Sequence, residues 1–187
     1  DWAITYKPHG LSEPTPPGLR EARPDGVLAR VGHVGLARAI QKLGVPAVDL
    51  RGVVAETGLP SIGVDHRRVA QLAAEHLLER GFTQFGFCGL PRGVHPHMDE
   101  LCDEFVAQVT QAGCYCQVFL ARRGPRRGEA WERQQNRLTQ WRDQQRRISQ
   151  WLAALPKPVA VMACYDDRAL QVLDACRRAG VAVPEQV

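Results

Sequence analysis

Two arginines, two aspartates and a tyrosine recur at one kind of place in this sequence, at or just beyond the end of a short apolar run. Tyr6 and Lys7 close the first run, Arg30 follows Gly26-Val27-Leu28-Ala29, and Arg51 follows Pro46-Ala47-Val48-Asp49-Leu50. Asp65 follows Ser61-Ile62-Gly63-Val64, Gly89 follows Gln84-Phe85-Gly86-Phe87-Cys88, and Asp166 comes after Ala163-Cys164-Tyr165. If the runs are parallel strands, ligands bind beyond their carboxyl ends, where loops and helix N-termini offer donors. Guanidinium groups donate, carboxylates accept and a phenol does both, so Tyr6, Arg30, Arg51, Asp65 and Asp166 together suit a neutral polyhydroxyl ligand. Each has a plainer reading beside this one. Asp65 and Asp166 stand where helix N-caps belong, and arginines such as Arg30 and Arg51 are usually solvated.

Catalytic patterns do not emerge. The sequence has no G-x-S-x-G elbow, no P-loop and no G-x-G-x-x-G after a strand. Asp166 and Asp167 are adjacent, so on a helix their side chains point about 100° apart and do not share one substrate atom. The six cysteines, at 88, 102, 114, 116, 164 and 176, form no C-x-x-C pair. They read as reduced thiols in a core rather than as a disulfide framework. His95, His97 and Cys102 lack zinc-site spacing and read as a turn exposing two histidines. No catalytic residue, metal ligand or cofactor is therefore assigned.

The elements that must position the polar residues follow from periodicity. Residues 2–6 and 26–29 read as strands separated by a Pro- and Gly-rich loop over 11–24. Leu36, Ile40 and Leu43 share one face of a helix from Val34 that ends at Gly44, and the strand at 46–50 completes a βαβ unit. Residues 61–64 predict a strand, Asp65 caps a helix running to Gly81, and 84–88 predict the next strand. The shift at Gly89, Leu90, Pro91 and Gly93 reads as a crossover, dividing the chain into a first lobe over 1–90 and a second over 91–187. Beyond it, the pattern predicts helices over 98–112, 129–154 and 166–179, and strands over 115–120 and 159–163. The tail from Val181 to Pro184 stops where another strand is expected. The alternation implies an α/β fold of two Rossmann-like lobes with parallel sheets.

With 187 residues, 44% hydrophobic and 24% charged, the chain can bury a sizeable core. No apolar run is long enough to cross a bilayer, and the start at Asp1 shows no export signal. The chain reads as a fragment of a longer polypeptide. Its net charge of +4 is unevenly placed, with nine arginines between Arg122 and Arg147. Arg122, Arg123, Arg126 and Arg127 flank a Gly-Pro turn. Arg133, Arg137, Arg142, Arg146 and Arg147 share the next helix with an apolar series, Leu138, Trp141, Ile148, Trp151, Leu152 and Leu155. That helix reads as docked on one face and solvated on the other, in preference to a nucleic-acid surface.

Several segments together resemble the effector domain of the LacI type, which shares the fold of the periplasmic sugar-binding proteins (type I). They are Ser61-Ile62-Gly63-Val64-Asp65 through Ala73-Ala74-Glu75-His76-Leu77-Leu78-Glu79-Arg80-Gly81-Phe82, then Phe85-Gly86-Phe87-Cys88-Gly89. Asp166 through Ala169, Val172-Leu173-Asp174-Ala175-Cys176 and Gly180-Val181-Ala182-Val183-Pro184-Glu185 match as well. Gly89-Leu90-Pro91, Trp131 with Gln135-Asn136-Arg137-Leu138, and Trp151-Leu152-Ala153-Ala154-Leu155-Pro156 are similar to the xylose-responsive regulators of this group. Those regulators join such a sensor to a C-terminal AraC-type helix-turn-helix domain.

The resemblance implies a cytoplasmic, dimeric regulator in which a monosaccharide, a pentose such as xylose, sits between two lobes whose closure is the switch. Operator DNA would be bound by a domain outside these residues, and no membrane is involved. By position, Asp166 matches the acidic residue that begins the second-lobe helix and faces ligand, and Arg51 falls near an effector-contacting position. The family's first strand and helix, and its final strand, have no counterpart in the chain. Leu101-Cys102-Asp103-Glu104 also stands where many relatives carry an arginine. A transport-type sugar-binding protein is the alternative from another class. An enzyme on the same fold, or direct nucleic-acid binding through the arginine helix, are the further ones.

Overall fold

A computed structural model describes residues 2–8, 14–54, 56–121 and 130–187, and side chains throughout these except at 130–138. The described chain forms two compact units, Asp1–Val64 and Asp65–Val187.

The first unit is built on one βαβ turn. Strands β1 (Val27–Ala29) and β2 (Ala47–Asp49) pair in parallel, with Val27 opposite Ala47 and Ala29 opposite Asp49. Helix α1 (Val34–Gln41) connects them. His33 caps α1 through its Nδ1, which accepts from the Leu36 N–H at 3.1 Å. After Lys42 and Leu43 the chain turns at Gly44, whose φ of +69° is a left-handed conformation that glycine adopts without steric cost. The buried face of α1, Leu36, Ala37 and Ile40, packs with Val31 against Val27, Ala29, Ala47, Val54 and Leu59.

Two expected strands of this unit do not form. Residues 2–8 are irregular, and Trp2, Ile4 and Tyr6 are 91, 84 and 83% exposed. Alternation specifies a strand only when one face is buried, and here neither is. Residues 61–64 contribute a single parallel bridge, Ser61 to Asp49, and leave Ile62 and Val64 exposed.

The second unit is a three-stranded parallel sheet in the order β4-β3-β5, with helices on both faces. Its elements are α2 (His66–Leu78), β3 (Gln84–Gly89), α3 (Pro96–Gln111), β4 (Tyr115–Leu120), α4 (Ala130–Ala154), β5 (Ala160–Ala163) and α5 (Asp166–Ala179). The central strand β3 is buried from Phe85 to Gly89, as a strand covered on two sides must be. Its side chains alternate between two cores. Phe85 and Phe87 join Ala70 and Ala74 of α2, Leu101, Phe105 and Val109 of α3, and Cys116. Cys88 joins Phe119, Ile148 and Leu152 of α4, and Val172, Ala175 and Cys176 of α5. Helix α5 stops at Gly180, φ +66°, as its sequence predicts.

The expected lobe boundary at residue 90 is displaced. β3 lies at the centre of the second unit's sheet, and the Gly89–Gly93 segment is the loop between β3 and α3, so the division falls between Val64 and Asp65. The tail also differs from the expected strand. Residues 183–186 form a turn, and the Gln186 carbonyl accepts from the Val159 N–H just ahead of β5.

Gly86 is fixed by packing. A Cβ placed there would lie 2.9 and 3.0 Å from Cζ2 and Cη2 of the Trp151 ring and 3.3 Å from Val161 Cγ2. The Gly86→Ala variant is expected to lose roughly 1–3 kcal/mol, because the indole must shift within a close-packed layer. Chemical denaturation against the parent chain measures this, and an unchanged midpoint would show that the ring moves freely.

Candidate ligand-binding site

The carboxyl edge of the first unit's parallel pair is organised by Asp49, a residue the sequence reading passed over. Asp49 ends β2 with no exposed surface. Its Oδ1 accepts from the N–H groups of Val31 at 3.1 Å and Arg51 at 2.9 Å, and its Oδ2 accepts from that of Gly52 at 3.1 Å. A buried carboxylate is tolerated when its lone pairs are engaged in this way. One side chain thereby fixes the loop after β1 and the turn after β2, which carry Arg30 and Arg51. Leu50 N–H donates to the Ala29 carbonyl at 2.7 Å, tying the two strand ends together. The signal was available in principle, as a lone carboxylate inside the apolar run Pro46–Leu50.

Arg30 and Arg51 are brought together at this edge. Arg30 is exposed and Arg51 half-buried. The Arg51 guanidinium is held below its ordinary pKa, first by burial and then by the like charge of Arg30, with Asp49 opposing both. Tyr6 does not belong to this edge by any strand. It lies in the irregular, exposed segment 2–8, where the neighbouring Lys7 Nζ donates to the Pro17 and Gly18 carbonyls at 3.3 Å each.

In the second unit, Asp65 and Asp166 each begin a helix. Asp65 is the N-cap of α2, its carboxylate accepting from the Arg68 N–H at 2.9 Å. Asp166 is the first residue of α5 rather than its cap. Tyr165 holds the N-cap position without a side-chain bond, so Asp166 and Asp167 meet the helix dipole from inside the first turn. Both carboxylates of the predicted set are exposed. Gly89 ends β3 fully enclosed, where a Cβ would lie 3.0 Å from the Phe87 ring and 3.1 Å from Leu120 Cδ2.

Arg168, one turn into α5, was also passed over. It is 3% exposed, its Nη1 donates to Gln171 Oε1 at 2.7 Å, and its Nε has no hydrogen-bond partner among the described residues. The Cys164 thiol is pushed above its ordinary pKa by burial, with the charge and hydrogen bond of Arg168 acting against the shift. Burial pushes Cys88 and Cys116 up to about 12 and Cys102 to about 11. Thiols so raised carry little thiolate at neutral pH and pack as small apolar groups.

His95, His97 and Cys102 do not converge on a metal. His97 stacks on His66 with ring centroids 5.1 Å apart, and Cys102 Sγ accepts from Arg92 Nη2 at 3.8 Å. Among the described residues no group of three or more His, Cys, Asp or Glu side chains is arranged to hold a metal ion.

Helix α4 docks through Ile148 and Leu152 and turns Arg142 and Arg146 to solvent. The Arg147 guanidinium lies 5.3 Å over the Phe119 ring and that of Arg178 lies 5.3 Å over Trp141. Trp141, read as part of the docked face, is 42% exposed at the face's margin. Arg122, Arg123, Arg126 and Arg127, and the side chains of Trp131, Arg133, Gln135, Asn136, Arg137 and Leu138, lie outside the described residues. No helix among the described residues is long and apolar enough to cross a membrane.

Comparison with known proteins adds independent findings. The sequence profile of the periplasmic binding protein-like domain matches residues 74–187. The chain is 27% identical over 168 residues to the xylose operon regulatory protein of Haemophilus influenzae, covering 87% of this chain and 40% of that protein. It is 28% identical over 171 residues to the protein of the same name from Escherichia coli K12, with the same coverage. Among solved structures, that of the xylose-binding transcription activator xylR superposes with a TM-score of 0.68 at 26% identity, over 87% of this chain and 41% of that one. The chain thus spans about 40% of the length of the curated relatives it matches.

Proposed function

From the premise that this chain belongs to the periplasmic binding protein-like domain family, we propose that it is the sugar-sensing effector domain of a bacterial transcription regulator. The effector is xylose or a related monosaccharide. Its binding shifts a conformational equilibrium by as much as its affinities for the two states differ. Operator sequence is read by residues beyond this chain, the regulator acts as a homodimer in the cytoplasm, and no catalytic step is assigned to it.

The observation that carries the reading is the carboxyl edge of β1 and β2, where a buried Asp49 aligns the backbone so that Arg30 and Arg51 stand together. That is the place where open parallel sheets receive ligands. The likeness to xylose regulators over 87% of the chain supports the choice of ligand class. Arg30 and Arg51 form the proposed contact set on the first unit; Asp65 and Asp166 belong to the second unit, where each is an exposed carboxylate at a helix start. Tyr6 is omitted, because its strand does not form.

Calorimetric titration with D-xylose, alongside L-arabinose, D-ribose and D-glucose, tests the proposal. At least one sugar is expected to saturate, with affinity reduced about tenfold or more in Arg51→Ala, in keeping with loss of a charged hydrogen-bond donor. If the wild-type protein binds sugar but releases no operator DNA in response, a transport-type binding protein becomes the better reading. Absence of binding to any of the four sugars would overturn the proposal.

A further inference from the structure

We infer that the groove between α4 and α5 is a binding surface for the phosphate backbone of duplex DNA, held by Arg142, Arg146 and Arg178. The surface lies wholly within the second unit and does not depend on the sugar reading. In the regulator proposed above, operator sequence is read beyond this chain, and the groove adds backbone contact without sequence preference.

Ser149 ties α4 to α5, its Oγ donating to the Ala175 carbonyl at 3.3 Å. Beside that contact lies a groove of about 320 Å³ with Trp141, Arg142, Gln145, Arg146 and Arg178 in its walls. The Arg178 guanidinium reaches across from α5 to lie 5.3 Å over the Trp141 ring. Asp143 accepts from Arg146 at 2.7 Å and Asp174 from Arg178 at 2.7 Å, each engaging one of the five N–H groups that a guanidinium carries. The two side chains are thereby ordered with donors to spare. Arg142 is exposed and makes no ion pair among the described residues. Gln145 is 3% exposed and its Oε1 has no hydrogen-bond partner among the described residues, so its amide can turn Nε2 toward an acceptor that enters the groove.

The charge balance points the same way. From Thr139 to Ala154 on α4 and from Leu170 to Ala179 on α5, the charged residues are five arginines and two aspartates, an excess of three positive charges. Among the described residues no carboxylate lines the groove. Spacing on α4 alone reads as a solvated face, and packing against α5 sets Arg178 beside it, so the charge forms a band across two helices. A small anion needs one guanidinium fork. A nucleic-acid backbone offers phosphates in series, and a band of planar, paired N–H donors matches it.

The test is fluorescence anisotropy of a short dye-labelled duplex of arbitrary sequence, titrated with the full chain in the absence of sugar. Binding is expected at about 50 mM salt, with log affinity falling against log salt at a slope of about −3, the sum of three arginine–phosphate contacts. The double variant Arg142→Gln, Arg146→Gln changes two exposed side chains, and should weaken binding about tenfold or more and reduce that slope by about 2. Arg20→Gln with Arg38→Gln removes the same charge from exposed positions of the first unit, and should change affinity by less than about twofold. No duplex binding, no loss in the groove variant, or an equal loss in the control pair would each overturn the inference, the last by assigning the binding to net charge. Poly-L-glutamate displacing the duplex at matched charge would overturn it in favour of an acidic protein partner. None of these results bears on the sugar titration, so failure here is distinct from failure of the sensor reading.

Discussion

Replacing Phe105 with alanine is expected to remove roughly 3–5 kcal/mol from the stability of the second unit, the range for deleting a buried aromatic side chain. Phe105 has no exposed surface. It stands on the inner face of α3 with Leu101, Cys102 and Val109, and its ring meets Phe85 at 6.3 Å and Phe87 at 6.0 Å between centroids. One side chain therefore joins a helix to the central strand of the sheet. Its loss removes apolar burial and leaves a cavity that β3, hydrogen-bonded on both sides, cannot collapse to fill. Urea unfolding reads the loss directly. Phe105→Leu, which keeps most of the volume, should cost less than the alanine variant. A cost below about 1 kcal/mol for alanine would mean that α3 repacks and that the three phenylalanines are not one unit of structure.

Asp49→Ala is expected to be comparably damaging in the first unit, on the order of 3–5 kcal/mol, because three backbone N–H groups lose one acceptor and each stranded donor costs about 1–3. Part of the full sum is recovered where water reaches the half-buried Arg51 and Gly52. Asp49→Asn is the informative companion. An amide oxygen in the Oδ1 position keeps the bonds to Val31 and Arg51, while the amide nitrogen now faces the Gly52 N–H, donor against donor. It should fall between wild type and alanine. Amide exchange at Val31, Arg51 and Gly52 should accelerate in both variants, and effector affinity should fall with it, since the arginine-bearing loops lose their anchor. Unchanged exchange at those amides would show that the turn holds itself without the carboxylate.

The difference between these residues explains what sequence reading reaches. Phe105 was placed in a helix because apolar spacing on α3 is dense and self-consistent. The same holds for α5, whose acidic start, basic last turn and terminal Gly180 all agree. The parallel strands of the second unit were legible as short apolar runs between helices. The strand expected at 2–6 was not formed because alternation is evidence of a partner surface, and Trp2, Ile4 and Tyr6 find none among the described residues.

The boundary between units was misplaced for a related reason. Gly and Pro after β3 mark a loop, and a loop within a unit carries the same composition as one between units. At the proposed site, the arginines and aspartates at strand ends were found by a topological rule, whereas Asp49 and Arg168 were not. Both are charged residues inside elements, and what makes them informative is burial together with specific hydrogen bonds, which no local pattern encodes.

The central claim is that an effector is bound at the carboxyl ends of the strands. Hydrogen exchange of the protein, alone and with a saturating mixture of D-xylose, D-ribose, L-arabinose and D-glucose, tests it most directly. The predicted result is slowed exchange in the loop after β1 around Arg30–His33 and in the turn Leu50–Gly52, with the outer face of α4 unchanged. No protection anywhere, or protection confined to α4, would contradict it.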